Sequence, residues 1–208
     1  LLQFKRPDIR PSFNKALRLA EQYDLDCVSY LIAAAPGQTA ETSLKDLITL
    51  AQKRTLIGLS IFYPAPGSSD FRMCKKKGVL PKHFANMRSS ALPVEDTTTR
   101  LQAVTLLRLS RIINFLKSLA DKNLYPMHAK PYDGTGKVPD ASRIETFNDR
   151  FEASQGLLET FLHDGIIRGV SPSGEIFAHH CDTALTQKCL RYLEKIKISG
   201  VNASSSKV

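Results

Sequence analysis

Two apolar runs, CVSYLIAAA (Cys27–Ala35) and TLIGLSIFY (Thr55–Tyr63), each stop abruptly at a proline–glycine turn, PGQT after the first and PAPGSSD after the second. Short apolar runs bounded by turn residues predict strands. Because nearly every position is apolar, they predict strands buried on both faces, as in parallel sheets covered by helices. Ala40 to Lys53 separates them, with Leu44, Leu47, Ile48 and Ala51 at helical spacing. A further helix precedes the first run, with Ser12 as its expected N-cap and Phe13, Ala16, Leu17 and Ala20 as its apolar stripe. Helix, strand, helix, strand with short loops is the pattern of a parallel α/β sheet or barrel. In such folds the functional surface lies beyond the carboxyl ends of the strands. That makes PAPGSSD the first candidate site. Its prolines stiffen the turn and Gly67 permits a backbone angle that a side chain would block. Ser68, Ser69 and Asp70 then stand where a polar substrate would bind. The competing role for Ser68 or Ser69 is to cap the next helix.

Downstream, short helices are expected over about Asp70–Lys77 and Lys82–Arg88. A long helix is expected from about Thr97 to Lys122, with Leu101, Val104, Leu106, Leu109, Ile113, Leu116 and Ala120 on its buried side. Arg100, Arg108 and Arg111 form a basic stripe on that helix. Asn123–Ser142 is rich in proline and glycine and reads as a linker. Arg143–Asp164 predicts a helix. Gly165–Val170 and Glu175–His179 predict a β-hairpin around Ser171–Gly174, and Thr183–Lys197 a last helix. Residues 199–208 are small and polar and read as a disordered tail. The expected fold is therefore α/β. A partial, TIM-like parallel half barrel occupies residues 1–95, a long helix and linker 96–142, and a helix–hairpin–helix unit 143–198.

The chain of 208 residues carries 29 basic and 20 acidic side chains, a net charge of +9. The excess is spread over both halves. Its densest run, Lys75-Lys76-Lys77, reads as a solvated surface, although a basic balance also suits nucleic acid or anionic ligands. No apolar run is long enough to cross a bilayer. Cys27, Cys74, Cys181 and Cys189 form no CxxC pair, which suits a reducing, cytoplasmic setting without disulfides. His179, His180 and Cys181 are adjacent. Neighbours on a strand point to opposite faces, so the two histidines are read as surface or packing residues rather than ligands of one ion.

Taken together, YLIAAAPGQT (Tyr30–Thr39) and GLSIFYPAPGSSDF (Gly58–Phe71) resemble the second half of the barrel in the radical S-adenosylmethionine (radical SAM) superfamily. The likeness is greatest to the branch with coproporphyrinogen oxidase-like and cobalamin-domain members. The resemblance covers Pro7–Phe71 well and reaches more loosely to Lys117. It implies an enzyme that cleaves S-adenosylmethionine reductively at a 4Fe–4S cluster and turns the resulting radical on a substrate. It places Ile32 and Ala34 at the family's adenine-lining G-x-I-x-G stretch, with Tyr30 and Ala34 where the glycines stand, and Phe62 and Tyr63 at the adenine edge. The family's CxxxCxxC cluster motif does not occur here. The resemblance thus implies that residues 1 to about 68 are the last strands of a barrel, and that the N-terminal barrel half with the cluster ligands is the missing partner. A small-molecule or RNA substrate remains open. The alternative is a basic module that binds RNA or a partner protein without chemistry, the 143–198 unit serving as a winged-helix-like appendage or as a lid on the barrel.

Overall fold

A computed structural model of the chain describes residues 10–83, 86, 94, 97–125, 147–171 and 175–201. Most of the short helix expected over 82–88, the linker beyond residue 125, the hairpin tip 172–174 and the tail beyond residue 201 lie outside them. The described residues form six helices and four short strands. They are α1 (Arg10–Gln22), β1 (Val28–Ala33), α2 (Ala40–Ala51), β2 (Leu56–Ile61), α3 (Ser69–Lys76), α4 (Arg100–Asp121), α5 (Phe147–Asp164), β3 (Arg168–Val170), β4 (Ile176–Ala178) and α6 (Thr183–Leu193).

Strands β1 and β2 pair in parallel, in register from Val28 opposite Leu56 to Ala33 opposite Ile61. β3 and β4 pair antiparallel as the expected hairpin. Each sheet has two strands, so the described residues form a mixed α/β fold and close no barrel. Helix α2 packs on both strands of the parallel sheet, and α4 packs on β2. Both lie on the same side. The strands accordingly alternate: Ser29, Ala33, Ile57 and Ile61 are buried beneath the helices. Val28, Tyr30, Ile32 and Leu56 lie open on the other face. The expectation of burial on both faces is corrected here, because among the described residues the helices pack on one face. On β1 the covered face carries Ser29, Leu31 and Ala33 and the open face Val28, Tyr30 and Ile32.

One apolar core runs from Ala33 to Ile198 and joins α2, β2, α4, α5 and α6. Helix α4 is its axis, burying Leu106, Leu109, Ile113, Leu116 and Leu119. Capping hydroxyls and carboxylates start the helices around it. Thr39 accepts from the Thr42 amide, Thr99 forms a capping box with Gln102, and Asp182 accepts from the Leu185 amide. Helix α1 begins at Arg10, so Ser12 lies in its first turn and not at the cap expected for it. Asn114 of α4 also turns its side-chain amide on β2. It accepts from the Ile57 amide at 3.0 Å and donates to the Ile57 carbonyl at 2.8 Å. A side chain thereby takes the place of a neighbouring strand at that point of the edge.

Lys117, also on α4, is fully buried. Its ammonium donates to three carbonyls: Ala51 at 3.2 Å, Lys53 at 2.6 Å and Ser199 at 2.7 Å. The Ser199 amide in turn donates to Ala51, and the Val201 amide donates to both Asp121 carboxylate oxygens at 3.0 Å. A Cβ on Gly200 would meet Asp121 Oδ1 at 1.9 Å, so no side chain fits there. The tail expected to be disordered from Ser199 is therefore fixed through Val201, because α4 offers it a buried cation and a carboxylate.

Burial pushes the Lys117 ammonium down to about 8, and the nearby Asp121 carboxylate opposes that shift. An unfolded chain would hold this proton up to the ordinary lysine range. Between those limits the unfolded state binds more protons, so this group makes stability rise with pH, from about pH 8 upward. Lys117→Met removes the effect and leaves the Ser199 carbonyl without its donor, a loss of about 1–3 kcal/mol at pH 7. Urea titrations across pH 7–10 check both: the wild type gains stability relative to the variant as pH rises. A constant difference between them would contradict this role for Lys117.

Candidate functional site

Parallel pairing brings the carboxyl ends of β1 and β2 to one level, so PGQT and PAPGSSD open at the same end of the sheet. At the end of β1, Ile32 is 51% exposed on the open face, opposite Ser60. Ala34 is fully buried and holds a left-handed backbone angle of +56°. A non-glycine residue there is strained by about 1–2 kcal/mol. Its amide donates to Ser43 Oγ at 3.4 Å. The position that the resemblance aligns with a glycine thus keeps a glycine's conformation while carrying a methyl group.

The PGQT turn is rigid because Gln38 spends its polar atoms on it. Its amide donates to Ala35 O at 2.8 Å, and its Oε1 accepts from the Ala35 amide at 3.2 Å. Its Nε2 donates to Asp46 at 3.3 Å, and its carbonyl accepts the hydroxyls of Thr97 and Thr98 at 2.9 and 3.1 Å. Burial raises the Asp46 carboxyl, and the Gln38 bond opposes the shift.

At the end of β2 the Phe62 amide donates to Ala33 O at 2.8 Å, which extends the pairing by one step. Phe62 is half-buried and Tyr63 is 43% exposed. Gly67 has φ +83°, and a Cβ there would meet nothing within 4 Å. Backbone angle, not crowding, requires the glycine. Ser68 Oγ accepts from the Phe71 amide at 3.0 Å and caps α3. Of the three residues considered for substrate, Ser68 is therefore engaged by its own helix. Ser69 is exposed and Asp70 half-exposed in the first turn of α3, where a carboxylate suits the helix dipole. The Arg72 guanidinium closes the turn through Gly67 O at 2.7 Å.

The four cysteines form no disulfide with one another. Cys74 and Cys189 are buried, Cys27 and Cys181 half-buried, and all four are free. Burial pushes the Cys189 thiol up to about 12. No group of three or more histidine, cysteine or acidic side chains converges among the described residues. The His179 ring sits edge-on to Phe177 with centroids 4.8 Å apart. From the basic stripe of α4, Arg108 is used internally, donating to His180 O at 2.8 Å.

Sequence reasoning missed the open sheet face. On that face Tyr30 and Gly58 stand opposite in register, and a Cβ on Gly58 would come within 3.0 Å of the Tyr30 ring. An aromatic ring lying across a strand glycine marks a face built for close approach. No described helix is long and apolar enough to cross a membrane. Comparison with protein-family models, with curated proteins and with solved structures gives no match for this chain.

Two substitutions probe the turns. Ala34→Gly relieves the left-handed strain and raises stability by about 0.5–1 kcal/mol, after the entropy cost of a glycine. Ser68→Ala removes the cap of α3 and lowers stability by about 1 kcal/mol. Denaturant midpoints of both variants decide the point. A destabilised Ala34→Gly would mean that the methyl group's packing outweighs its strain.

Proposed function

We propose that this chain forms the carboxyl-terminal part of a radical SAM-type half barrel, with its open sheet face as the barrel interior. The observation that carries the reading is the reversed patterning of β1. Val28, Tyr30 and Ile32 are apolar yet exposed on the face away from the helices, while Ser29, Leu31 and Ala33 lie on the covered side. A barrel strand has helices outside and apolar side chains inside, so an apolar face of β1 turned away from the helices suits that arrangement. The shared level of the two strand ends supports a cup at the carboxyl end, in agreement with the motif resemblance.

The residues of this chain do not fit the cluster itself. Three thiolates must converge on one cluster, and Cys27, Cys74, Cys181 and Cys189 make no such group. The 4Fe–4S ligands then belong to the missing N-terminal barrel half. The S-adenosylmethionine side fits better. Ile32 presents an apolar surface at the mouth, Tyr63 an accessible ring and Phe62 a partly buried one. Ala34 keeps the left-handed backbone angle of the glycine that the resemblance aligns with it, and is itself buried. When bound, cluster and cofactor together supply one-electron chemistry. This chain's part is to orient the adenine and to exclude water from the cup. Ser69 and Asp70 remain free of the capping role and stand at the rim as the polar substrate contacts. Four free thiols suit the reducing cytoplasm for such an enzyme.

Two measurements test this. Anaerobic reconstitution of the chain alone gives no stoichiometric cluster; one cluster per chain would overturn the reading. In the full-length protein, Tyr63→Ala weakens S-adenosylmethionine binding about tenfold, the worth of one ring contact. The Tyr23→Ala control, at an exposed residue after α1, does not. Equal affinities in all three proteins would remove Tyr63 from the cofactor site.

A further inference from the structure

Away from the strand mouths, a cavity of about 240 Å³ lies between α4 and α5. Ile112 and Phe115 of α4 and Leu157, Leu158 and Phe161 of α5 form its apolar walls. On α4, Ile112 and Phe115 are only partly buried, whereas the residues beside them, Leu109, Ile113 and Leu116, are consumed by the core. Phe115 meets Phe151 edge-on at 5.5 Å between centroids. The lead into β3, Ile167 and Arg168, forms another part of the lining.

Two guanidiniums also line this cavity, Arg111 and Arg168. They differ in charge balance. Arg168 is neutralised by Asp164, at 2.6 Å from NH2 to Oδ2 and 3.2 Å from NH1 to Oδ1. Burial raises the Asp164 carboxyl, but bonds from Arg168 and the Ile166 amide outweigh it and hold the group below its usual range. Asp164 therefore stays ionised at neutral pH. Arg111 is exposed and makes no ion pair among the described residues. An apolar pocket with one uncompensated positive charge selects a ligand that is apolar with one negative end. A dianion such as phosphate is disfavoured by the nearby Asp164 carboxylate and gains nothing from the apolar walls. The volume lies just below the range of about 300–1,000 Å³ usual for larger ligands, so the ligand is small.

We propose that the α4–α5 cavity binds a small amphipathic carboxylate, its chain against Ile112, Phe115 and Leu157 and its carboxylate on Arg111. This site is separate from the strand mouths and does not depend on the function proposed for them. Decanoate is the probe, with decanol as its uncharged counterpart. Equilibrium dialysis of the full-length protein should show saturable decanoate binding, about tenfold tighter than decanol. Arg111→Gln should bring decanoate down to the decanol level and leave decanol unchanged, while Arg100→Gln, on the same helix but not lining the cavity, should change neither. Hydrogen-exchange mass spectrometry should show decanoate protecting peptides over 150–168, and not those over 28–33. Equal binding of acid and alcohol, an unaffected Arg111→Gln variant, protection confined to the sheet face, or no binding of decanoate would each overturn the proposal.

Discussion

A parallel pair of strands has two faces and two outer edges, and the described residues cover only part of them. Helices α2 and α4 pack on the side of Ser29, Ala33, Ile57 and Ile61. Asn114 occupies one point on the outer edge of β2. The other face keeps Tyr30 at 82% exposure beside Ile32 and Val28. Two strands alone are marginal in water, so the pair depends on the helices packed beneath it. Helices α2, α4, α5 and α6 and strand β2 all contribute to the single core on the covered side.

Within that core, α4 does two kinds of work. Its leucines and isoleucine supply apolar burial, and its polar side chains organise backbone that would otherwise be loose. Lys117 gathers the end of α2, the turn into β2 and the segment after α6 around one ammonium. Asn114 reads the edge of β2, and Thr105 accepts the Asp182 amide at the start of α6 at 2.9 Å. An ion pair between Glu41 of α2 and Lys188 of α6 adds a surface link at 2.6 Å. It is exposed, and exposed pairs contribute little. The buried and part-buried polar contacts made by α4 join parts of the chain 57 to 82 residues apart.

Much of this was legible in the sequence for local reasons. Helix and strand positions follow from apolar spacing, and the cap at Ser68 acts over three residues and was legible, whereas Ser12 lies inside α1 and the caps at Thr39, Thr99 and Asp182 were not singled out. The glycine at position 67 was legible because turn chemistry demands it. The phase of β1 was not, since CVSYLIAAA is apolar at both odd and even positions and periodicity selects no face. Nor was the burial of Lys117, whose partners lie 64, 66 and 82 residues away. Ala34 reads as an ordinary strand residue, and only the tertiary turn forces its positive φ. The α4–α5 cavity joins residues about 40 positions apart through side chains that look like spare helix surface.

The central claim is that the Tyr30 face is an interior surface of a larger sheet. Hydroxyl-radical footprinting followed by peptide mass spectrometry measures it directly. Labelling of Tyr30 is compared between this chain alone and the longer polypeptide proposed to contain it, with Tyr23, an exposed residue after α1, as the internal reference. The account predicts strong labelling of Tyr30 in the chain alone and about tenfold protection in the longer polypeptide, consistent with full burial of an apolar ring. Equal labelling of Tyr30 in both would contradict it, because the open face would then be solvent-facing in the working protein.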